Sequence, residues 1–379
     1  MLVSIVTPDL SHNCLGRAYV LAQLLERNYD IEIVGPKLRD TIWKPLRDKY
    51  DYKEVESSRR VYGFLPNIRE LLNKISGDVV YASKPRLASY GISLLKRIGS
   101  NLPLIVDIDD WESGFKYSGN SQATAYLRGI PRLINTSSIY YTRVLESLTK
   151  IADGRTVSNY FLRNQFGGTV VPHARDTEKF NPEKFNKYNI RKEVGLPLDK
   201  FIVMFSGTPR PHKGVEELAK AVKMIDQDEI LAVIIGASES KYTDRLRKLG
   251  GESILIEGMK PFDELPKWIA TADTIAIPQR ENQSTVGQLP AKLFDGMAMA
   301  KPIIATNVGD IPRILGKTGE LVPPEEPEQI KNAIIHLKKD DSRRKQLGKD
   351  ARKRCQDNYS YDALSPVLRD MISSIVNCK

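Results

Sequence analysis

The chain has 379 residues, of which 41% are apolar and 27% charged, enough for two folded domains at about 100 to 200 residues each and unlike a collagen-like or disordered chain. No apolar run reaches the roughly 18 residues of a membrane-spanning helix, and residues 1–8 lack the basic start and long apolar middle of a secretory signal, so a cytosolic chain is expected. Against 47 Asp and Glu stand 57 Lys and Arg, a net charge of +10 that favours anionic partners.

The first segments alternate β-branched runs with helix-period stretches. A strand is expected at 2–6, then a polar loop, then a helix with Leu15, Ala18, Ala22 and Leu25 on one face. Residues 31–34, 78–82 and 102–108 are short apolar runs bounded by turn residues, as buried parallel strands are. From 167 to 200 periodicity fades among Pro172, Asn181-Pro182 and Gly195-Leu196-Pro197, which reads as a linker. Alternation then restarts, with strands expected at 201–205, 230–235, 253–256, 274–277 and 302–305, and helices at 215–225, 263–272, 290–300 and 309–315. The charged tail from 325 is helical by pattern, with Leu364, Leu368 and Ile372 on one face of its last segment.

The expected organisation is therefore α/β, with two Rossmann-like doubly wound domains facing across a cleft. Residues 1–170 form the first, 171–200 the linker, 201–358 the second, and 359–379 a final helix that crosses back to the first. Ligands in such sheets lie beyond the carboxyl ends of the strands.

Charge is unevenly spread. From 79 to 106 the charged residues are Lys84, Arg86, Lys96 and Arg97, and from 113 to 145 the cations are Lys116, Arg128, Arg132 and Arg143. These stretches read either as a solvated basic face or as a surface for an anionic membrane or lipid phosphate. Cys14, Cys355 and Cys378 have no disulfide or zinc spacing, and the four histidines, His12, His173, His212 and His336, show no metal-ligand or triad spacing.

The densest chemical signal is the run Ser206-Gly207-Thr208-Pro209-Arg210-Pro211-His212-Lys213-Gly214, between a strand and a helix. Such a loop turns backbone amides and two cations, Arg210 and Lys213, toward an anion, for which a diphosphate is the natural guest. A second signal runs from Ser284 through Gly287, Gln288 and Leu289 into a helix carrying Lys292 and Asp295. Its amides suit a sugar hydroxyl or phosphate, and its carboxylate a ribose diol. A turn with two exposed cations and a plain amphipathic core helix are the simpler readings of these two runs.

Together these segments resemble the family 4 retaining glycosyltransferases of the GT-B fold. The resemblance rests on Ser206-Gly207 through Lys213-Gly214, Lys292-Leu293-Phe294-Asp295-Gly296-Met297-Ala298, Lys301-Pro302-Ile303-Ile304-Ala305-Thr306, Val308-Gly309-Asp310-Ile311-Pro312 and Gly319-Glu320-Leu321-Val322-Pro323-Pro324, in the family's order over about residues 170 to 360. It implies transfer of a sugar from a nucleotide-diphosphate sugar on the second domain to a hydroxyl acceptor on the first, with no metal or other cofactor required. It assigns catalytic roles to Lys213, Arg210 and Asp109, and donor contacts to Gly16, Gly207, Thr208, Gly258, Met259, Gln288, Leu289, Lys292 and Asp295. Two departures stand out. Of the family's two glutamates eight positions apart, the first is Gly287 here and the second Asp295, and the arginine usual after the strand is Thr208. Arg17 is a further phosphate contact implied in the first loop, and Asp109 stands where many members have a histidine.

The resemblance leaves the donor base, the sugar and the acceptor open, with polysaccharide, lipopolysaccharide and glycolipid synthesis all admitted. A lipid-linked or anionic acceptor and peripheral contact with the inner face of an anionic membrane fit the basic stretches. Nucleic acid does not, since aromatic residues are not interleaved with the cations. Two other readings stand at this point: a metal-dependent phosphatase built on Asp107 and Asp109, after the strand-Asp-x-Asp pattern, and a non-catalytic basic-surface binding protein. Gly316-Lys317-Thr318 lacks the glycine spacing of a phosphate-binding P-loop, and no Gly-x-Gly-x-x-Gly follows an expected strand.

Overall fold

A computed structural model describes residues 1–117, 122–225 and 228–378. Residues 118–121 of the second basic stretch and the terminal Lys379 of the expected final segment lie outside the described residues. The chain divides into two compact units, Met1–Ala174 with Tyr361–Lys379, and Arg175–Ser360.

In the first unit, β1 (Leu2–Val6), β2 (Asp30–Lys37), β3 (Lys53–Glu56), β4 (Val79–Ser83), β5 (Leu104–Ile108), β6 (Gly154–Val157) and β7 (Thr169–Val170) form one sheet in the order β3-β2-β1-β4-β5-β6-β7. In the second, β8 (Phe201–Ser206), β9 (Ile230–Ala237), β10 (Ile254–Gly258), β11 (Thr274–Ile277), β12 (Ile303–Thr306) and β13 (Glu320–Val322) form another, in the order β10-β9-β8-β11-β12-β13. Every pairing is parallel. Central strands such as β8 are buried along their whole length, so they read as unbroken apolar runs with helices covering both faces. β3, β6 and β7 escape the hydropathy pattern. They are short, and Lys53-Glu54-Val55-Glu56 and Gly154-Arg155-Thr156-Val157 are mostly polar.

Most of the segment expected as a linker is part of the second unit. Its asparagines are helix caps: Asn181 accepts from the amide of Glu183, and Asn186 from that of Asn189 at the head of the helix Lys187–Glu193. Phe180, Ile190 and Leu196 enter the core beneath that helix. Buried Arg191 ties it to the Thr271 and Lys200 carbonyls, each at 2.9 Å, and to Asp273 at 2.6 Å.

The last helix, Tyr361–Asn377, lies in the first unit on the helix Leu15–Leu25. Ser365 Oγ donates to the Leu24 carbonyl at 2.7 Å, Asn28 Nδ2 donates to Ser365 Oγ at 3.0 Å, and Leu368 and Ile372 are fully buried. We predict that Leu368→Ala destabilises the first unit by about 2–5 kcal/mol, read by chemical unfolding. An unchanged midpoint would show that the helix is dispensable.

Candidate functional site

The parallel sheet of the second unit ends in a ring of loops at the carboxyl ends of β8 to β12. β8 turns at Gly207, whose φ of 112° favours glycine, and the Gly207 amide donates to the Ile235 carbonyl at 2.8 Å. A methyl group on Gly236 would press on the Gly207 backbone at 3.0 Å, so two glycines let β8 and β9 finish in contact. Lys213 Nζ donates to the Thr208 carbonyl at 2.9 Å and closes the loop on itself. Arg210 is exposed and His212 and Lys213 half-buried. Burial, followed by Lys213, Arg210 and Lys292, pushes the His212 imidazole down to about 4, so it is neutral at physiological pH within a cluster of cations.

Lys292 is the central feature of this loop. It sits in the first turn of the helix Ala291–Ala298, is only 8% exposed, and its Nζ has no hydrogen-bond partner. The ammonium lies 3.3 Å from the centroid of the Phe205 ring, and a methyl group on Gly207 would be 3.4 Å from Nζ. Burial and then Lys213 hold it well below the usual lysine range, against a smaller opposing pull from Asp295. Asp295, the carboxylate that pulls on Lys292, is committed elsewhere. Glu216 and Glu217 take Arg280 at 3.1 and 2.5 Å, and buried Asp295 pairs with buried Arg175.

The other expected donor residues fall into two groups. Gly207, Thr208, Arg210, Lys213 and Lys292 come together. Leu289 is 2% exposed and belongs to the core, and of the amides expected as a cradle at 287–289 that of Gln288 is spent on the Thr285 carbonyl at 3.0 Å. Asp295 makes its contact with Arg175, which anchors the helix that carries Lys292 and is not a surface carboxylate awaiting a diol. Gly258 and Met259 are exposed at the end of β10, beside Lys260, which stands 4.0 Å over the Trp268 ring. Sequence reading missed Gln279, whose Nε2 donates to the Thr285 carbonyl at 3.1 Å, and Thr306, which donates to the Gln279 carbonyl at 2.6 Å; these bonds shape the 279–289 loop.

In the first unit, charges at the carboxyl ends of the strands neutralise one another. Arg17 grips Asp107 with two bonds of 2.9 and 2.7 Å and donates to the Val171 carbonyl at 2.7 Å, so this buried guanidinium is structural and not the expected phosphate contact. Asp109 is 6% exposed and faces Lys84 at 3.2 Å and His173 Nε2 at 3.1 Å. Burial would raise its carboxyl, but Lys84, His173 and Arg17 outweigh that and hold it well below the usual range. Lys84, at φ 72°, also meets Asp110 and Glu112, and Arg86 meets Glu112. Lys84 and Arg86 are thus internal counter-ions and not part of a solvated basic face. The phosphatase reading fails here. Asp107 is fully buried with both oxygens bonded, and Asp109 faces cations where a metal would be needed. Gly16 opens the helix Leu15–Leu25, with Trp43 3.7 Å from where its methyl group would be.

Residues 186–354 match the family Glycosyl transferases group 1. The matched stretch lies within the second unit and carries the Gly207–Gly214 loop and the helix of Lys292. It is 29% identical over 222 residues to the D-inositol 3-phosphate glycosyltransferase of Corynebacterium glutamicum, covering 55% of this chain and 52% of that one. To the GDP-mannose-dependent alpha-(1-6)-phosphatidylinositol monomannoside mannosyltransferase of Mycobacterium tuberculosis it is 27% identical over 247 residues, covering 59% and 63%. The chain spans about half the length of the curated relatives it matches. The Anabaena protein Alr3699/HepE, solved with UDP and glucose, superposes with a TM-score of 0.75 over 98% of this chain and 99% of that one at 15% identity, and the fold is GT-B. Lys292 is the cation that reaches the Gly207 turn.

The Lys84 hub yields a prediction. Lys84→Met removes the cation that Asp109, Asp110 and Glu112 share and should cost about 3–5 kcal/mol at neutral pH. Because the Asp109 carboxyl is depressed in the folded chain, its contribution is present above its unfolded value and is lost as pH falls. The penalty should therefore shrink in acid, measured by denaturant unfolding across pH; a penalty independent of pH would refute the hub.

Proposed function

We propose that the chain transfers a sugar, with retention, from a nucleotide-diphosphate sugar held at the Gly207–Gly214 loop to a hydroxyl acceptor. The observation that carries this is Lys292: a buried lysine without a partner, beside a glycine turn that also presents Lys213 and Arg210. Burial of a cation is costly unless an anion joins it, and a diphosphate supplies the matching charge.

Breaking the anomeric C–O bond leaves two negative oxygens on the departing phosphate, and stabilising them is the largest electrostatic demand of the reaction. Lys213, Arg210 and, once it takes up a proton, Lys292 answer it with positive charge, and on this reading no metal is called for. The resemblance to retaining members implies that the acceptor hydroxyl attacks from the face the phosphate leaves, passing its proton to a phosphate oxygen as the new C–O bond forms. Gly258 and Met259 stand where the nucleotide base would lie. Asp295 acts through Arg175 by fixing the helix of Lys292, and Asp109 by holding His173 and Lys84.

The acceptor is read as lipid-linked, and the place of action as the cytoplasmic membrane face. Supporting this, the Mycobacterium relative is named for a phosphatidylinositol mannoside.

Melting the chain with UDP, GDP and ADP, each with magnesium and with EDTA, tests the reading. One nucleoside diphosphate should stabilise it equally in both, by about 2.7 kcal/mol at 100 times its dissociation constant. Lys292→Ala should abolish that shift and Lys213→Ala should lower turnover about 10²-fold. No response to any nucleotide would sink the assignment. Lys292 is depressed in the free chain and a bound diphosphate must raise it, so binding takes up a proton and affinity falls as pH rises. Calorimetry in buffers of different ionisation enthalpy reads that uptake.

A further inference from the structure

The turn after β11 is held by one side chain that sequence reading did not single out. Arg280 sends its guanidinium to the two carboxylates at the head of the helix Val215–Ile225, with Nε and Nη2 on Glu217 at 3.0 and 2.5 Å and Nη2 on Glu216 at 3.1 Å. Glu216 and Glu217 are 5 and 4% exposed, and among the described residues Arg280 is the only side chain that donates to the Glu217 carboxylate. Exposed Glu325, in the turn after β13, stands 3.8 Å from Nε. A planar fork set between adjacent carboxylates fixes the position of residue 280 in a way that a single ammonium does not.

The backbone of the same residue joins two loops. Its N–H donates to the His212 carbonyl at 3.0 Å, one position before Lys213. Its carbonyl accepts from Thr285 Oγ1 at 2.7 Å, and Thr285 Oγ1 accepts from the Asn282 amide at 2.9 Å, which closes the turn that starts the 279–289 loop. Two hydrogen bonds at one residue thus tie the turn of Lys213 to the loop that leads into the helix of Lys292, and the guanidinium sets where both are made.

We propose that Arg280 is a positioning residue: anchored on Glu216 and Glu217, it holds the His212–Lys213 turn and the 279–289 loop in the arrangement that receives the donor diphosphate. The role rests on the donor reading above and is exerted through the neighbouring loops. Neutralising two buried acids is the plainer role for this arginine, and the two make different predictions.

Three variants separate them. Arg280→Gln removes both the tether and the charge, Arg280→Lys keeps the charge and loses the fork, and E216Q/E217Q/R280Q restores the charge balance without a tether. Each full chain is melted alone and then titrated with UDP, GDP and ADP by calorimetry at a temperature where it is folded. Arg280→Lys and the triple variant should melt above Arg280→Gln, yet bind the nucleoside diphosphate that the wild type takes about tenfold to a hundredfold more weakly than the wild type does. If Arg280→Gln does not fold, the other two carry the test against the wild type. Affinity that returns together with melting temperature in either of them overturns the proposal, since Arg280 would then only neutralise Glu216 and Glu217. So does wild-type affinity in Arg280→Gln, and the donor reading then still stands. A wild type that binds none of the three nucleotides defeats the donor reading itself, and the role given to Arg280 falls with it.

Discussion

Burying a charge requires a counter-charge, and the two units meet that requirement in opposite ways. In the first, each ion at the carboxyl ends of the strands has its partner inside the protein: Arg17 with Asp107, Lys84 with three carboxylates, His173 with Asp109. In the second, Lys292 has none. A fully paired network is rigid and has no remaining affinity for an ion, whereas an unpaired buried ammonium is a binding site awaiting its anion.

The arrangement around Lys292 keeps it unpaired. Glu216 and Glu217 lie in the first turn of the helix Val215–Ile225 and pair with Arg280, and neither is among the charges that act on Lys292. Asp295, one turn further along Lys292's own helix, is occupied by Arg175. Steric rules complete the picture. A methyl group on Gly214 would strike the Pro278 carbonyl at 1.6 Å, so the loop that carries Lys213 can pack against the end of β11 only with glycine there.

Much of this was legible in the sequence. The run from β8 through Gly207 and Lys213 into a helix declares itself by an apolar strand, punctuating glycines and adjacent cations, all local in the chain. What was hidden is long-range. Arg17 and Asp107 are 90 residues apart, and nothing at either position announces the other. Lys84 and Arg86 looked like surface because they stand in an acid-free stretch, yet the acids that bury them follow at 109–112 on the neighbouring strand end. The asparagines of 175–200 looked like linker because capping and loop chemistry use the same residues. The Glu216, Glu217 and Arg280 cluster was invisible for the same reason as Arg17.

The departures from the family pattern also make physical sense as a set. Where the pattern has an arginine after the strand, Thr208 stands, and its carbonyl instead orients Lys213. A cation still reaches the same turn, because Lys292 extends to Gly207 from a different helix. An arginine side chain brought from position 208 would place a second positive charge against an ammonium that is already desolvated and repelled by Lys213, which raises the cost of the free state. Threonine at 208 and lysine at 292 are therefore a coherent pair, one local charge removed and another supplied from the helix behind it.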